Sequence, residues 1–374
     1  MSTFPANPDL RTEEFELKMG PQHPSTHGVL QLSVTLDGER VVACKPNIGF
    51  LHRSIEKMME NRTYAQCVPL ADRVDYCSAM TASLAYVMAV EKLLDLTIPP
   101  RAEYLRVVMS ELNRIASHFI AYGTFALDMG GTTPFLFAFR DREAILDLFE
   151  EVSGGRLLYN YMRIGGVARD VAPDFMERVI QFLDYWEPLL ASEYEAILDK
   201  NPIFYNRTKG VGVLPQDLAL RLGVCGPNLR AAGVPYDVRK AHPYAAYPQL
   251  EFDIPCHQES DNFARYRVRM EEFRQSARIL RQCAEKMPKG EVLVRQPYTL
   301  KVPEGETYVH IESSRGDLGC YLVSDGSDKP YRCKFRTPSF AHCNAFQHIV
   351  KDCLFSDIVS ICASFDIVLP EADR

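Results

Sequence analysis

The stretch PPRAEYLRVVMSELNRIASHFIAYG, residues 99–123, constrains the fold more than any other. A proline pair opens it, apolar residues recur every three and four positions, and Gly123 closes it,. This predicts a helix over 101–122 that stops near Gly123. The same spacing recurs over 76–96, 138–160, 172–199 and 260–287,. A helix of that length must bury its apolar stripe against other elements. The ends of the chain read differently. Residues 14–18 and 29–44 alternate as strands, with an Asp37-Gly38 hairpin turn between VLQLSVTL and ERVVAC,. Residues 305–336 return to strands, separated by glycine turns, and the last forty residues form one or two helices. The expected fold class is α+β: a helical core with small sheets at both ends. The expected segments are 1–70 (β-rich), 71–300 (helical) and 301–374 (strands and closing helices), in one continuous unit.

Composition narrows the function. A net charge of −7 argues against nucleic-acid binding,. The longest uncharged helical run, Tyr76 to Val90, has 15 residues, short of the roughly 20 a spanning helix needs,. The opening MSTFPANPDLRTEEF is polar and acidic rather than an export signal, so a cytoplasmic location is expected, with docking on a membrane partner left open,. The 11 cysteines include no C-x-x-C, and their closest spacings are nine or ten residues. Reduced, buried thiols are expected rather than disulfides or a metal site.

Several polar groups stand out. MGPQHPSTHGVL, residues 19–30, sets His23 and His27 four apart, but Pro24 excludes a helical pair,. His23 reads as a turn-capping hydrogen-bonder. His27 adjoins Gly28, where backbone can approach a ligand closely. PLADRVDYCSAM, residues 69–80, packs Asp72, Arg73, Asp75 and Tyr76 at the head of an apolar helix. The acids suit helix capping, whereas Arg73 and Tyr76 exceed it. FLHRSIEK, residues 50–57, offers His52, Arg53, Glu56 and Lys57, or simply a solvated charged helix. Asp128 in FALDMGG is a carboxylate among apolar residues, which needs a partner such as a histidine,. RIGGVARD, residues 163–170, adds Arg163 and Arg169 but is no phosphate loop,.

The wording of these motifs is more specific than their chemistry. MGPQHPSTHGVL, GFLHRSIEKMMENRTYAQ, DRVDY, SELNRIASHF, ALDMGG, RIGGVARD, NPIFYNRTKGVG and the terminal EADR together resemble the 49-kilodalton, or D, subunit family of respiratory complex I. The resemblance runs in order from about residue 14 to Arg374. It implies the fold of nickel–iron hydrogenase large subunits. Those hold their metal with two C-x-x-C pairs. Here the corresponding positions are Asp75 and Ser78, and Val368 and Glu371. With no thiolate at any of the four, no metal is expected in this chain.

The resemblance further implies a quinone head group in the vacated cavity, bound by His27, Tyr76 and Asp128. These would be the catalytic residues, and the 19–28 loop would carry a proton donor. Electrons would come from an iron–sulfur cluster in a neighbouring subunit, with Arg53 and Arg73 close to it. The implied activity is NADH:quinone oxidoreduction coupled to proton translocation, at the cytoplasmic face of the inner membrane. The implied partners are the 30-kilodalton (C) subunit, the cluster-bearing B subunit and the membrane-arm H subunit. A ferredoxin-fed relative or a non-catalytic scaffold are the alternatives. Two positions depart from the family. Leu158 stands where relatives often carry a histidine beside the cluster, which makes a lower-potential acceptor such as menaquinone plausible beside ubiquinone. Pro370 stands where they usually carry glycine.

Overall fold

The computed structural model describes residues 13–23, 28–297 and 299–374. The chain opens with three antiparallel strands, β1 (Glu14–Met19), β2 (Gln31–Asp37) and β3 (Arg40–Asn47), in the order β1-β2-β3. In β2 every second side chain is buried, as its alternation predicts,. Asp37 pairs with Arg40 across a two-residue turn in which Gly38 takes φ 61°, and a register shift follows at Thr35/Leu36,. Short helices α1 (Ile55–Met59) and α2 (Tyr64–Asp72) lead into α3 (Ala79–Leu93), α4 (Pro100–Asp128) and α5 (Thr132–Ser153). A small hairpin, β4 (Met162–Arg163) and β5 (Gly166–Val167), precedes α6 (Phe175–Leu189). The α6 rod continues as a wider π turn, Leu190–Glu195, and α7 (Ala196–Leu198). Four short helices follow: α8 (Pro202–Thr208), α9 (Gln216–Arg221), α10 (Gly226–Ala231) and α11 (Val238–Ala241). Then come the long α12 (Asn262–Lys286) and a second antiparallel sheet, β6 (Gly305–Ser313), β7 (Gly316–Ser324) and β8 (Arg332–Arg336). Helices α13 (Pro338–Ile349), α14 (Asp357–Phe365) and α15 (Leu369–Asp373) close the chain. The α+β expectation holds. No described helix is long and apolar enough to cross a membrane.

Two apolar clusters position the site. The larger joins α3, α4, α5, α6 and α12 to the second sheet through residues such as Val87, Leu112, Phe119, Trp186, Phe273 and Leu322. The other joins the first sheet to the closing helices, with Leu32, Val34 and Val41 meeting Phe346, Ile361 and Leu369. The two ends of the chain therefore share one core.

Several boundaries move. Helix α4 does not stop near Gly123 but continues to Asp128. A Cβ at Gly123 would lie 3.3 Å from the Ala138 Cβ and 3.4 Å from the Phe135 Cα, so this glycine lets α5 approach rather than ending the helix,. Helix α3 begins at Ala79 rather than residue 76, because the backbone before it is a turn. The tail holds three helices rather than one or two. Helix α2 was hidden by Pro69, which sits inside it,.

Candidate functional site

The turn between α2 and α3 is pinned from two sides. Asp75 accepts hydrogen bonds from the Cys77 and Ser78 amides at 3.1 and 3.2 Å through Oδ1. Its Oδ2 accepts Arg315 Nη1 at 2.7 Å. Asp75 thus pins the turn ahead of α3 but does not cap the helix, whose N-cap is Ser78. Asp72 does not cap it either: its Oδ2 accepts the Tyr159 and Asn160 amides at 3.1 and 2.6 Å. Burial pushes the Asp72 carboxyl up to about 6, against those two hydrogen bonds.

Tyr76 rides on the pinned turn, half-buried. Burial, then the neighbouring Cys77, raises its phenol to about 12, with Arg315 pulling the other way,. The hydroxyl stays protonated at neutral pH and makes no hydrogen bond among the described residues. Asp128 is the last residue of α4 and half-buried. A helix C-terminus disfavours a carboxylate, so helix stability does not account for it. Its charge reaches Cys362 on α14.

The opening loop leaves and rejoins the first sheet through a narrow neck. Gln22 pairs with Val29, and a Cβ on Gly20, at φ 86°, would lie 2.2 Å from the Leu30 carbonyl oxygen. A Cβ on Gly28 would lie 3.2 Å from Leu369 Cδ1, so the loop's return leg rests on α15. His23 is exposed. His27 lies outside the described residues. The closing segment thus touches the loop neck at Leu369, while the Asp366 charge reaches Tyr76 and the Asp128 charge reaches Cys362.

Asp75, Ser78, Val368 and Glu371, the positions that the hydrogenase resemblance assigns to thiolates, are all buried. Ser78 Oγ shares a hydrogen bond with Ser314 Oγ, and the Val368 amide donates to Ser339 Oγ at 3.1 Å. Glu371 Oε2 accepts from both the amide and hydroxyl of Ser339. Among the described residues no group of three or more histidines, cysteines or carboxylates is arranged to hold a metal. All eleven cysteines are free thiols.

Arg53 and Arg73 are brought together. Arg53 Nη2 donates to the Arg73 carbonyl at 2.7 Å, and Arg73 Nη1 donates to the Pro69 carbonyl at 2.7 Å. Neither forms an ion pair among the described residues, so this face keeps positive charge. The segment is clamped by the C-terminus: the Gly49 and Leu51 amides each donate to Asp373 at 2.7 Å, and His52 Nδ1 lies 2.7 Å from the Asp373 carbonyl oxygen. Glu56 accepts the Phe335 amide at 3.0 Å and ties α1 to β8, whereas Lys57 is a solvated side chain.

RIGGVARD serves packing. A Cβ on Gly166 would lie 2.1 Å from the Val292 carbonyl oxygen, and the Gly165 amide donates to Glu91 at 2.7 Å. Arg163 bonds Asn160 Oδ1 at 2.9 Å and lines a cavity of about 540 Å³ with Gln66, Leu293 and Gln296, which includes neither Tyr76 nor Asp128. Leu158 packs against the main apolar cluster. Sequence reasoning missed Arg315 and Asp366. Arg315 sits in the tight turn between β6 and β7, where an arginine ordinarily signals solvent.

Comparison with known proteins agrees with the motif evidence. Residues 128–301 and 297–374 match the family described as respiratory-chain NADH dehydrogenase, 49 Kd subunit. The D subunit of the NADH-quinone oxidoreductase of Desulforamulus reducens is 49% identical over 97% of this chain and 99% of its own length. The corresponding D subunits of Dehalococcoides mccartyi and Chlorobium luteolum are 49% and 48% identical, each over 98% of this chain and over 100% and 95% of their own lengths. The chain belongs to the 49-kilodalton subunit family of respiratory-chain NADH dehydrogenase, the complex I oxidoreductase.

Proposed function

We propose that this chain is the quinone-reducing subunit of the peripheral arm of a proton-translocating NADH:quinone oxidoreductase. The observation that carries this reading is Tyr76: a protonated phenol with no partner among the described residues, on a turn held rigid by the buried Asp75–Arg315 pair. Such a donor is pre-organised for a ligand oxygen that gains negative charge. Reducing a quinone adds two electrons and two protons, so each ring oxygen needs a donor. Tyr76 serves one oxygen. His27, on the loop whose neck rests on α15, serves the other. Asp128 holds the His27 imidazole in one tautomer and stabilises its charged form.

Electrons arrive from an iron–sulfur cluster of the neighbouring B subunit, beside the positive Arg53–Arg73 face, where positive charge favours the reduced cluster. The C subunit and the membrane-arm H subunit are the other neighbours, which places the chain peripherally at the cytoplasmic side of the inner membrane. Leu158 in place of a histidine is compatible with a lower-potential acceptor such as menaquinone. The test is Asp128→Asn in the assembled complex. Quinone reduction is expected to slow while assembly and cluster content stay normal. An unchanged rate with a short-chain quinone removes the His27–Asp128 pair from the mechanism.

A further inference from the structure

Behind Tyr76 three buried carboxyls face one guanidinium. Asp75 and Glu371 are 0% exposed, Arg315 1% and Asp366 6%. Asp75 takes the short bond to Arg315, at 2.7 Å, and Asp366 Oδ2 lies 3.6 Å from Arg315 Nε. Glu371 has no ion pair at all among the described residues. Both donors it receives come from Ser339 and fall on Oε2. Its Oε1 is buried with no hydrogen-bond partner. A charged carboxylate oxygen left bare in the interior is costly, and protonating the carboxyl lowers that cost by removing the charge. Glu371 feels the charge of Asp75, the residue before Tyr76, and lies two residues beyond Leu369, on which the opening loop rests.

We propose that Glu371 is the proton store of this site, protonated while the quinone is oxidised and returning a proton to Tyr76 once the phenol has given up its own. The inference rests on the quinone-reducing reading above. The Tyr76 O–H bond breaks as a quinol O–H forms, with the electrons supplied by the neighbouring iron–sulfur cluster. The Glu371 O–H bond then breaks as the Tyr76 O–H bond reforms. Glu371 is left as a carboxylate facing Arg315 and is reloaded from solvent.

The surroundings agree. The groups facing Glu371 are Asp75 on the turn before α3, Arg315 on the β6–β7 turn, and Ser339 and Cys343 on α13. Asp366, beyond α14, faces Arg315 and Asp75, and its charge also reaches Arg269 on α12. Burial, then the Asp75 charge, pushes the Glu371 carboxyl up to about 8, with Arg315 and Ser339 opposing. Burial keeps Cys343 a thiol, and His342 on the same helix is neutral, pushed down to about 3.

The experiment uses the assembled complex carrying wild-type, Glu371→Gln, Glu371→Asp or Tyr76→Phe chains. Infrared spectra of the oxidised complex are followed from pH 6 to 10, beside quinone reduction. The wild type is expected to lose one protonated-carboxyl band, and its rate, as pH rises through about 8. Glu371→Gln should lack the band and reduce quinone about 10²-fold more slowly, with no fall near that pH. Glu371→Asp should restore both in part. A wild type with no carboxyl titrating in that range overturns the proposal, as does Glu371→Gln with wild-type rate and pH profile. If that comes with a slow Tyr76→Phe, only the proton store falls. If Tyr76→Phe is also as fast as wild type, the quinone-reducing reading falls with it.

Discussion

Glu111 and Glu371 are both fully buried carboxyls, yet their surroundings are opposite. Glu111 receives four donors: Arg239 and Tyr247 on Oε1 at 3.0 and 2.6 Å, Arg114 and Ser276 on Oε2 at 3.2 and 2.7 Å. Burial works against its charge, but Arg114 and Arg239 outweigh it and hold the carboxyl down at about 2. The network runs on through Asp237 to Arg230, which bonds Glu272 and Glu312 at 2.5 and 2.8 Å. It joins α4, α10, α12 and β6, and nearly every charge has a counter-charge. Only Glu312 is pushed upward, to about 7, by burial and by Asp237. Around Glu371 three acids share Arg315, with Arg269 reaching only Asp366, and polar atoms of Arg315, Asp366 and Glu371 lack partners. Balanced burial of charge fixes the geometry of a core, and unbalanced burial keeps protons available. The unbalanced cluster is the one that adjoins Tyr76.

The comparison breaks most visibly at Arg230. Arg230→Met leaves Glu272 and Glu312 buried without their shared cation and should cost on the order of 3–5 kcal/mol, read as a large drop in the thermal unfolding midpoint and yield of the complex. Glu371→Gln should cost little at pH 7, since a neutral amide replaces a neutral acid. Equal losses at the two positions would erase the distinction.

Acidity sharpens it further. Glu111 has a folded value below its unfolded one, so its contribution is present above about 4.5 and lost as pH falls toward 2,. Glu371 has a folded value above its unfolded one. The unfolded chain therefore binds fewer protons between about 4.5 and 8, and Glu371 erodes stability as pH rises across that window,. Glu371→Gln should gain on the wild type in thermal unfolding between pH 5 and 8, and a parallel pair of curves would contradict this.

The sequence made the frame of this molecule legible where one signal had one cause. The three-and-four spacing of α4 and α12 and the Asp37-Gly38 turn each report a local rule, and the elements stand where those rules put them. Gly123 misled because a glycine serves helix ends and helix crossings alike, and only the partner, Ala138, decides between them,. Pro69 hid α2 for a similar reason. Tyr76 and Asp128 were legible as polar groups exceeding local needs. Arg315 was not, because its partners Asp75 and Asp366 come from distant turns and no local pattern marks a buried ion pair.

The most direct measurement of the central claim is quinone reductase activity of the Tyr76→Phe complex beside its activity with an artificial acceptor that bypasses the site. The substitution keeps the ring and removes only the hydroxyl, so packing survives. Loss of a donor aimed at a developing oxyanion should lower quinone reduction on the order of 10²–10³-fold and leave the artificial-acceptor rate unchanged. Quinone reduction at the wild-type rate would make Tyr76 a packing aromatic and contradict the account.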